Sequence, residues 1–284
     1  SNNIIFPKGY NVTIEPGTVL RLFDNVSILI QGGLKAVGKK DKFINIVNFN
    51  KNNNFGTFAV NSHKKKVILK NFNISGGSSD IINGIKFLGQ LALHDADVLL
   101  DKIIVSNSVS DDGMNIKNSK VAIYNSFFIN NLYDQIDLDF CFGILEGNIF
   151  KFKSISNTKS EEIIYNGDGL DLSGSAIKIS DNTFSNFQDK AISVGEKTKA
   201  LVTDNFFLKN KIAIEIKDES KVYVNKNKFE NNKLDFNLYI KKFFFGDPQL
   251  FSIDNLYSKI INIVNGEIIY LSDNNFTKDS QFYL

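Results

Sequence analysis

One cysteine, three prolines, a single arginine and no tryptophan occur in 284 residues. The lone Cys141 excludes an intrachain disulfide, and its neighbours Phe140 and Phe142 predict a buried structural thiol rather than a nucleophile. No apolar run approaches the roughly 18 residues of a membrane-spanning helix. No secretion signal is recognisable in the chain as given. Arg21 is the sole arginine, and phosphate recognition favours the planar guanidinium fork, so nucleic acid is not an expected partner. A net charge of +2 adds no general attraction to phosphate or to a membrane. Scarce proline suits a chain in which nearly every backbone N–H joins a strand ladder. The two histidines carry little. His63 precedes Lys64, Lys65 and Lys66 in a polar turn, and His94, near Asp95 and Asp97, lacks a second His or Cys for a metal site. Without tryptophan, Tyr133 and Tyr165 are the sugar-stacking candidates nearest to acidic positions.

What is present is a repeat. Asn-x-Phe recurs at Asn125–Phe127, Asn148–Phe150, Asn182–Phe184, Asn205–Phe207 and Asn227–Phe229, at intervals of 23, 34, 23 and 22 residues. The long interval places an insertion at 154–166, including Glu161 and Glu162. A repeat of about 22 residues cannot bury its own apolar face, so copies must stack into a solenoid. Within each copy two apolar residues flank an outward one: Met114 and Ile116, Ile136 and Leu138, Leu170 and Leu172, Ile192 and Val194, Ile214 and Ile216, Phe236 and Leu238. Alternation of period two is the strand signature, and no 3.6-residue pattern competes with it. The repeated Asn predicts an amide ladder and the repeated Phe an internal stack.

The segments Ile14-Glu-Pro-Gly-Thr-Val19 and Ile28 to Gly38, the latter ending Gly33-Leu-Lys-Ala-Val-Gly38, resemble the opening coils of secreted right-handed parallel β-helix proteins of the pectate-lyase-like superfamily. The resemblance spans roughly residues 10–240 and implies an all-β, right-handed parallel β-helix. One domain over 3–284 is expected, with a cap and first coils at 3–60, regular coils at 61–240 and a capping segment at 241–284.

Chemistry is sought on the outward positions between the inward pairs. That column reads Asn115, Asp137, Asp171, Ser193, Glu215 and Asn237, with Lys86 one coil earlier; Lys117 and Asp139 flank it. A second column three positions upstream reads Asp112, Asp134, Asp168 and Lys190. Carboxylates about 4.8 Å apart on neighbouring strands repel unless lysines, a cation or protonation offset them. Ca²⁺ is the expected ion, held by Asp112, Asp134 and Asp168. Asp137 with Asp171 would suit the roughly 5 Å spacing of a retaining glycosidase, and Asp171 with Glu215 the upper limit of about 9.5 Å for an inverting one. In lyase or epimerase chemistry on a uronate, Lys190 or Lys117 would serve as the base.

Gly167-Asp-Gly-Leu-Asp171 followed by Asp189 is similar to the Asp pattern of β-helical polygalacturonases. That likeness implies catalytic roles for Asp168 and Asp189. It departs from the pattern at Asp189-Lys190, where the family has paired Asp, and it lacks the Gly-His-Gly element. The central coils also resemble β-helix regions beside spore-coat-kinase-like modules. Two readings follow. One is a secreted or surface β-helix that binds, and in its enzymatic form cleaves or epimerises, an extended polysaccharide. The other is a non-catalytic structural, adhesion or display module of a larger bacterial protein.

Overall fold

A computed structural model describes residues 3–50, 52–152, 167–253, 255 and 261–271. Every regular element among them is a β-strand. The backbone divides into two compact units, Ser1–Asp137 and Leu138–Leu284.

In the first unit, Ile4–Phe6, Ile28–Ile30, Phe58–Asn61, Gly89–His94 and Asp112–Lys117 pair in that order, all in parallel. In the second, Leu170–Ser173, Lys190–Gly195, Ile212–Lys217, Leu234–Tyr239 and Ile261–Ile263 do the same. Between successive members of each sheet the chain travels round through strands of other parallel ladders. This is the winding of a right-handed parallel β-helix, all-β throughout. The inward pairs from Met114 to Leu238 are all buried. The ladders also run on past residue 240. Gln249–Ile253 pairs with Lys221–Asn225, and Glu267–Tyr270 then pairs with Gln249–Ile253.

Many of the described corners use a residue with positive φ followed by a buried side chain, polar at Asn182, Asn205 and Asn232 and apolar at Phe72, Ile103 and Phe187. At one corner of the second unit Gly147, Asp181, Asp204 and Lys226 have φ of 70°, 57°, 57° and 52°. They precede Asn148, Asn182, Asn205 and Asn227. Each Asn Oδ1 accepts hydrogen bonds from the backbone N–H and side-chain amide of the preceding Asn, at 2.8–3.0 Å from Asn148 through to Asn227. Asn227 donates in the same way to Asn255. The ladder gives buried corner N–H groups a partner that the strand ladders cannot supply. Beside it, Phe150, Phe184, Phe207 and Phe229 stack with centroids 4.5–5.2 Å apart and planes within 8°. A second corner carries Asn210 above Asn232, and a third carries hydroxyls, with Cys141 N–H donating to Ser175 Oγ and Ser175 N–H to Thr198 Oγ1. Cys141 is buried, and its thiol donates to Asp139 O at 3.3 Å.

The first unit uses the same corner with a different side chain, and this corrects the alignment of the first repeat. Asn125 has a φ of 49° and is exposed, so it is the turning residue rather than the ladder residue. The following Ser126 takes the inward place, accepting from Ile103 N–H at 3.1 Å and donating to Tyr124 O at 2.7 Å. Phe127 is accordingly 39% exposed, and Phe128 is fully buried. The true copy is Ser-x-Phe, one residue later than Asn-x-Phe.

Candidate functional site

The outward residue between each inward pair differs sharply between the two units. In the first, Leu29, Ala59 and Ala92 follow one another in register. Ile82 and Phe87 from an antiparallel hairpin, Asp80–Ile82 with Ile85–Phe87, pack onto them. The hairpin turns at Asn83 and Gly84, both with positive φ, as a two-residue turn requires. Lys86 belongs to this hairpin and is exposed, 3.7 Å from Asp111 Oδ2. The column position expected for Lys86 belongs instead to Ala92, opposite Asn115. A short polar chain then begins. Asn115, fully buried, donates from Nδ2 to Asp137 Oδ2 at 2.9 Å. Its Oδ1 therefore accepts from His94 Nε2, also at 2.9 Å, which fixes the proton on that nitrogen. The His94 ring packs against Phe87 at a tilt of 33°, and Asp95 bonds elsewhere, pairing with Lys64. Lys117 lies opposite His94 in register. Asp112 is buried on Asp112–Lys117, Asp134 is half-buried and Tyr133 is exposed.

In the second unit the column reads Asp171, Ser193, Glu215, Asn237 and Asn262 in register. Its polar groups are joined end to end. Asn262 Nδ2 donates to Asn237 Oδ1 at 2.8 Å, and Asn237 Nδ2 donates to Glu215 Oε2 at 3.1 Å. Glu215 Oε1 accepts from the Tyr239 hydroxyl at 3.1 Å and lies 3.6 Å from Lys217 Nζ. Lys217 Nζ in turn donates to Ser193 Oγ at 2.8 Å. The side chains of Lys217 and Glu215 are only 7% and 6% exposed. Asp171 is half-buried at the near end of this column.

A second group flanks it. Asp168 Oδ1 accepts from both the backbone N–H and the ammonium of Lys190, each at 3.2 Å. The same ammonium bonds Asp189, which also faces Lys211 at 3.9 Å. Burial is the strongest single influence on Lys190 and pushes its pKa down. Asp168, Asp189 and Glu215 together outweigh burial and hold it well above the ordinary lysine value. Burial and then Glu215 raise the Tyr239 phenol in the same way. At neutral pH this face presents a fixed ammonium and a protonated phenol. Lys190 is a cation bridging two carboxylates, which does not suit it to the role of base.

The face has a wall. Lys241 and Lys242 donate backbone N–H groups to Asp218 Oδ1 at 2.7 and 2.8 Å, Lys242 Nζ bonds Glu196, and Gly246 N–H donates to Glu219 Oε2 at 3.2 Å. Glu196 and Asp218 directly follow the strands Lys190–Gly195 and Ile212–Lys217 that carry Ser193 and Glu215. Segment 241–246 is thus fixed at the ends of the site's own strands, with Phe243 and Phe244 at its tip 93% and 66% exposed. Asp139 is half-buried. Tyr165 and the insertion at 154–166 lie outside the described residues. Sequence reading identified Asp171, Ser193, Glu215, Asp168, Asp189 and Lys190. It missed Lys217, Tyr239 and the Phe243–Phe244 tip, although Lys217 and Tyr239 sit two residues beyond column members and so share their outward face.

The family described as the right handed beta helix region matches residues 91–282. No curated protein matches the chain in sequence. Among solved structures, the chain is similar to an alginate lyase from Paenibacillus sp. str. FPU-7, at 13% identity and TM-score 0.49, covering 94% of this chain and 99% of that one. It is similar to tailspike protein 2 of Escherichia coli O157:H7 bacteriophage CAB120, at 12% identity and TM-score 0.48, covering 90% and 38%. A Streptococcus pneumoniae surface protein and adhesin, PfbA, gives 10% identity and TM-score 0.31 with 95% and 85% covered.

Proposed function

The chain belongs to the right-handed β-helix family, and from that footing we propose that the outward strand face of its second unit binds an extended polysaccharide. One observation carries this reading: charged side chains on that face are buried and joined into a network where the first unit places Leu29, Ala59 and Ala92. Burying an ion pair costs several kcal/mol per ion in desolvation, and apolar replacements of similar volume commonly do as well or better. The fold accepts aliphatics at this column, beneath a hairpin in the first unit, so stability alone does not explain the buried Glu215 there. Recognition does. A pre-ordered row of amide, carboxylate, hydroxyl and ammonium groups along successive strands matches the repeating hydroxyls of a glycan. Phe243 and Phe244 supply the flat apolar surface against which a sugar ring can lie. Lys190, held as a cation, suits a carboxylate or hydroxyl oxygen of the ligand. Any cleavage or epimerisation would have to draw its base from the carboxylates.

The test is titration of the full chain with uronate-containing and neutral oligosaccharides, with and without Ca²⁺, while assaying release of unsaturated or reducing ends. Asp171→Asn and the double change Phe243→Ser/Phe244→Ser should each weaken binding by about tenfold or more, as for other interface anchors, with Tm unchanged. Failure of the unaltered chain to bind any extended glycan at this face would refute the proposal. Chain ends released by the parent and lost in Asp171→Asn would establish turnover.

A further inference from the structure

A separate outward surface of the first unit carries a different chemistry. Thr13, Lys35, Ile68 and Leu99 lie in register across four successive strands. Two hollows, of about 480 and 270 Å³, open along this row and share Ile68. The larger is rimmed by Lys35, Lys64, Lys65 and Lys66, with Asp97 as its only acidic lining residue. Lys64 is engaged by Asp95, but Lys35, Lys65 and Lys66 form no ion pair among the described residues. The floor is aliphatic at the half-buried Ile68, while Leu34 beside it packs into the core. Gly33 lets neighbouring coils approach closely at the floor's edge: a Cβ there would come within 2.9 Å of Asn11 Oδ1 and 3.2 Å of Lys66 O. The smaller hollow continues the row over Leu99, 41% exposed, and ends on Asp101 bonded to Lys70 and Asn125.

We propose that these hollows form a second binding site, for an acidic polysaccharide whose carboxylate or sulfate groups meet Lys35, Lys65 and Lys66 while its sugar rings rest on Ile68 and Leu99. Uncompensated ammonium groups around a concavity focus an attractive field on an anionic polymer. Coils repeating at about 4.8 Å present these contacts as a track rather than a point. The aliphatic floor fits the C–H face of a pyranose. A nucleic acid would look for arginine forks, which neither hollow's lining contains, and for a run of aromatic platforms where the two linings offer Tyr124 alone. A planar membrane would not reach into a concave floor.

The experiment uses the full chain, with a polygalacturonate oligosaccharide and a sulfated dextran oligosaccharide as probes and neutral dextran as the control, by calorimetry at several salt concentrations. The triple change Lys35→Gln/Lys65→Gln/Lys66→Gln should lower affinity for one or both acidic probes about tenfold or more and flatten the salt dependence. Asp171→Asn and Phe243→Ser/Phe244→Ser should leave this component intact, which separates it from binding at the second unit. Charge alone is controlled by Lys151→Gln/Lys209→Gln/Lys226→Gln. An equal loss there would mean diffuse attraction and overturn the assignment. So would an unaffected triple variant, or preferential binding of single-stranded DNA or phosphatidylserine vesicles that depends on the same lysines.

Discussion

The fold raises the pKa of both Lys190 and Tyr239 well above their ordinary values. Burial opposes the charge on Lys190, but Asp168, Asp189 and Glu215 overcome it, so its folded pKa is raised. Tyr239 is raised by burial first and by Glu215 second. A raised folded pKa contributes stability that is complete below the unfolded value and lost as pH climbs through the folded one. The unfolded references are about 10.4 for lysine and about 10 for tyrosine. Thermal stability should therefore show no loss from these two groups up to about pH 9 and should fall steeply above about pH 10. Tyr239→Phe removes the phenol's titration and should make the alkaline fall shallower. Unfolding followed across this range decides the matter, and identical curves for parent and variant would remove Tyr239 from the account. His94 shows the same scale at work in the first unit, where a side chain that composition marks as a weak metal ligand packs against Phe87 and bonds Asn115.

At the scale of the element, the coil is specified by its corners as much as by its strands. Moving the first repeat by one residue exchanges every inward and outward side chain over that stretch. Phe128→Ala should cost about 3–5 kcal/mol, as large-to-small changes at filled core positions do. Phe127→Ala should cost well under about 1 kcal/mol, as exposed substitutions usually do. Urea unfolding of the pair gives a direct reading of register, and equal costs would restore the Asn125 alignment. Asn205→Ala should be severe as well. It strips acceptors from the N–H and amide of Asn182 and donors from Ile179 O and Thr203 O. Each buried group left unsatisfied costs about 1–3 kcal/mol, so the sum should exceed that of any single exposed change. Asn125→Ala should instead pay only for backbone strain, since its side chain reaches out to Asp101.

At the scale of the molecule, binding to the folded chain alone raises stability by mass action, about 2.7 kcal/mol at a ligand concentration one hundred times Kd. A glycan bound at the second unit should raise the Tm of the parent, and at the same concentration Asp171→Asn, binding about tenfold more weakly, should gain only about 1.4 kcal/mol, half as much. A shift of equal size in both would place the ligand elsewhere. By itself the sequence determined that this chain is all-β, wound in coils of about 22 residues, with Met114 through Leu238 alternating into a core. Those properties follow from local periodicity and from the need of each short repeat to bury its apolar side on the next. It also carried part of the second unit's column, because Asp171, Ser193 and Glu215 stand at equivalent places in successive copies. Only the tertiary structure decided that Lys190 lies between Asp168 and Asp189, that Tyr239 and Lys217 converge on Glu215, and that segment 241–246 fastens to Glu196 and Asp218 with two phenylalanines at its tip. Such contacts depend on how side chains from separate coils are buried against one another, and a linear repeat fixes the register of those coils but not the partners their polar atoms choose.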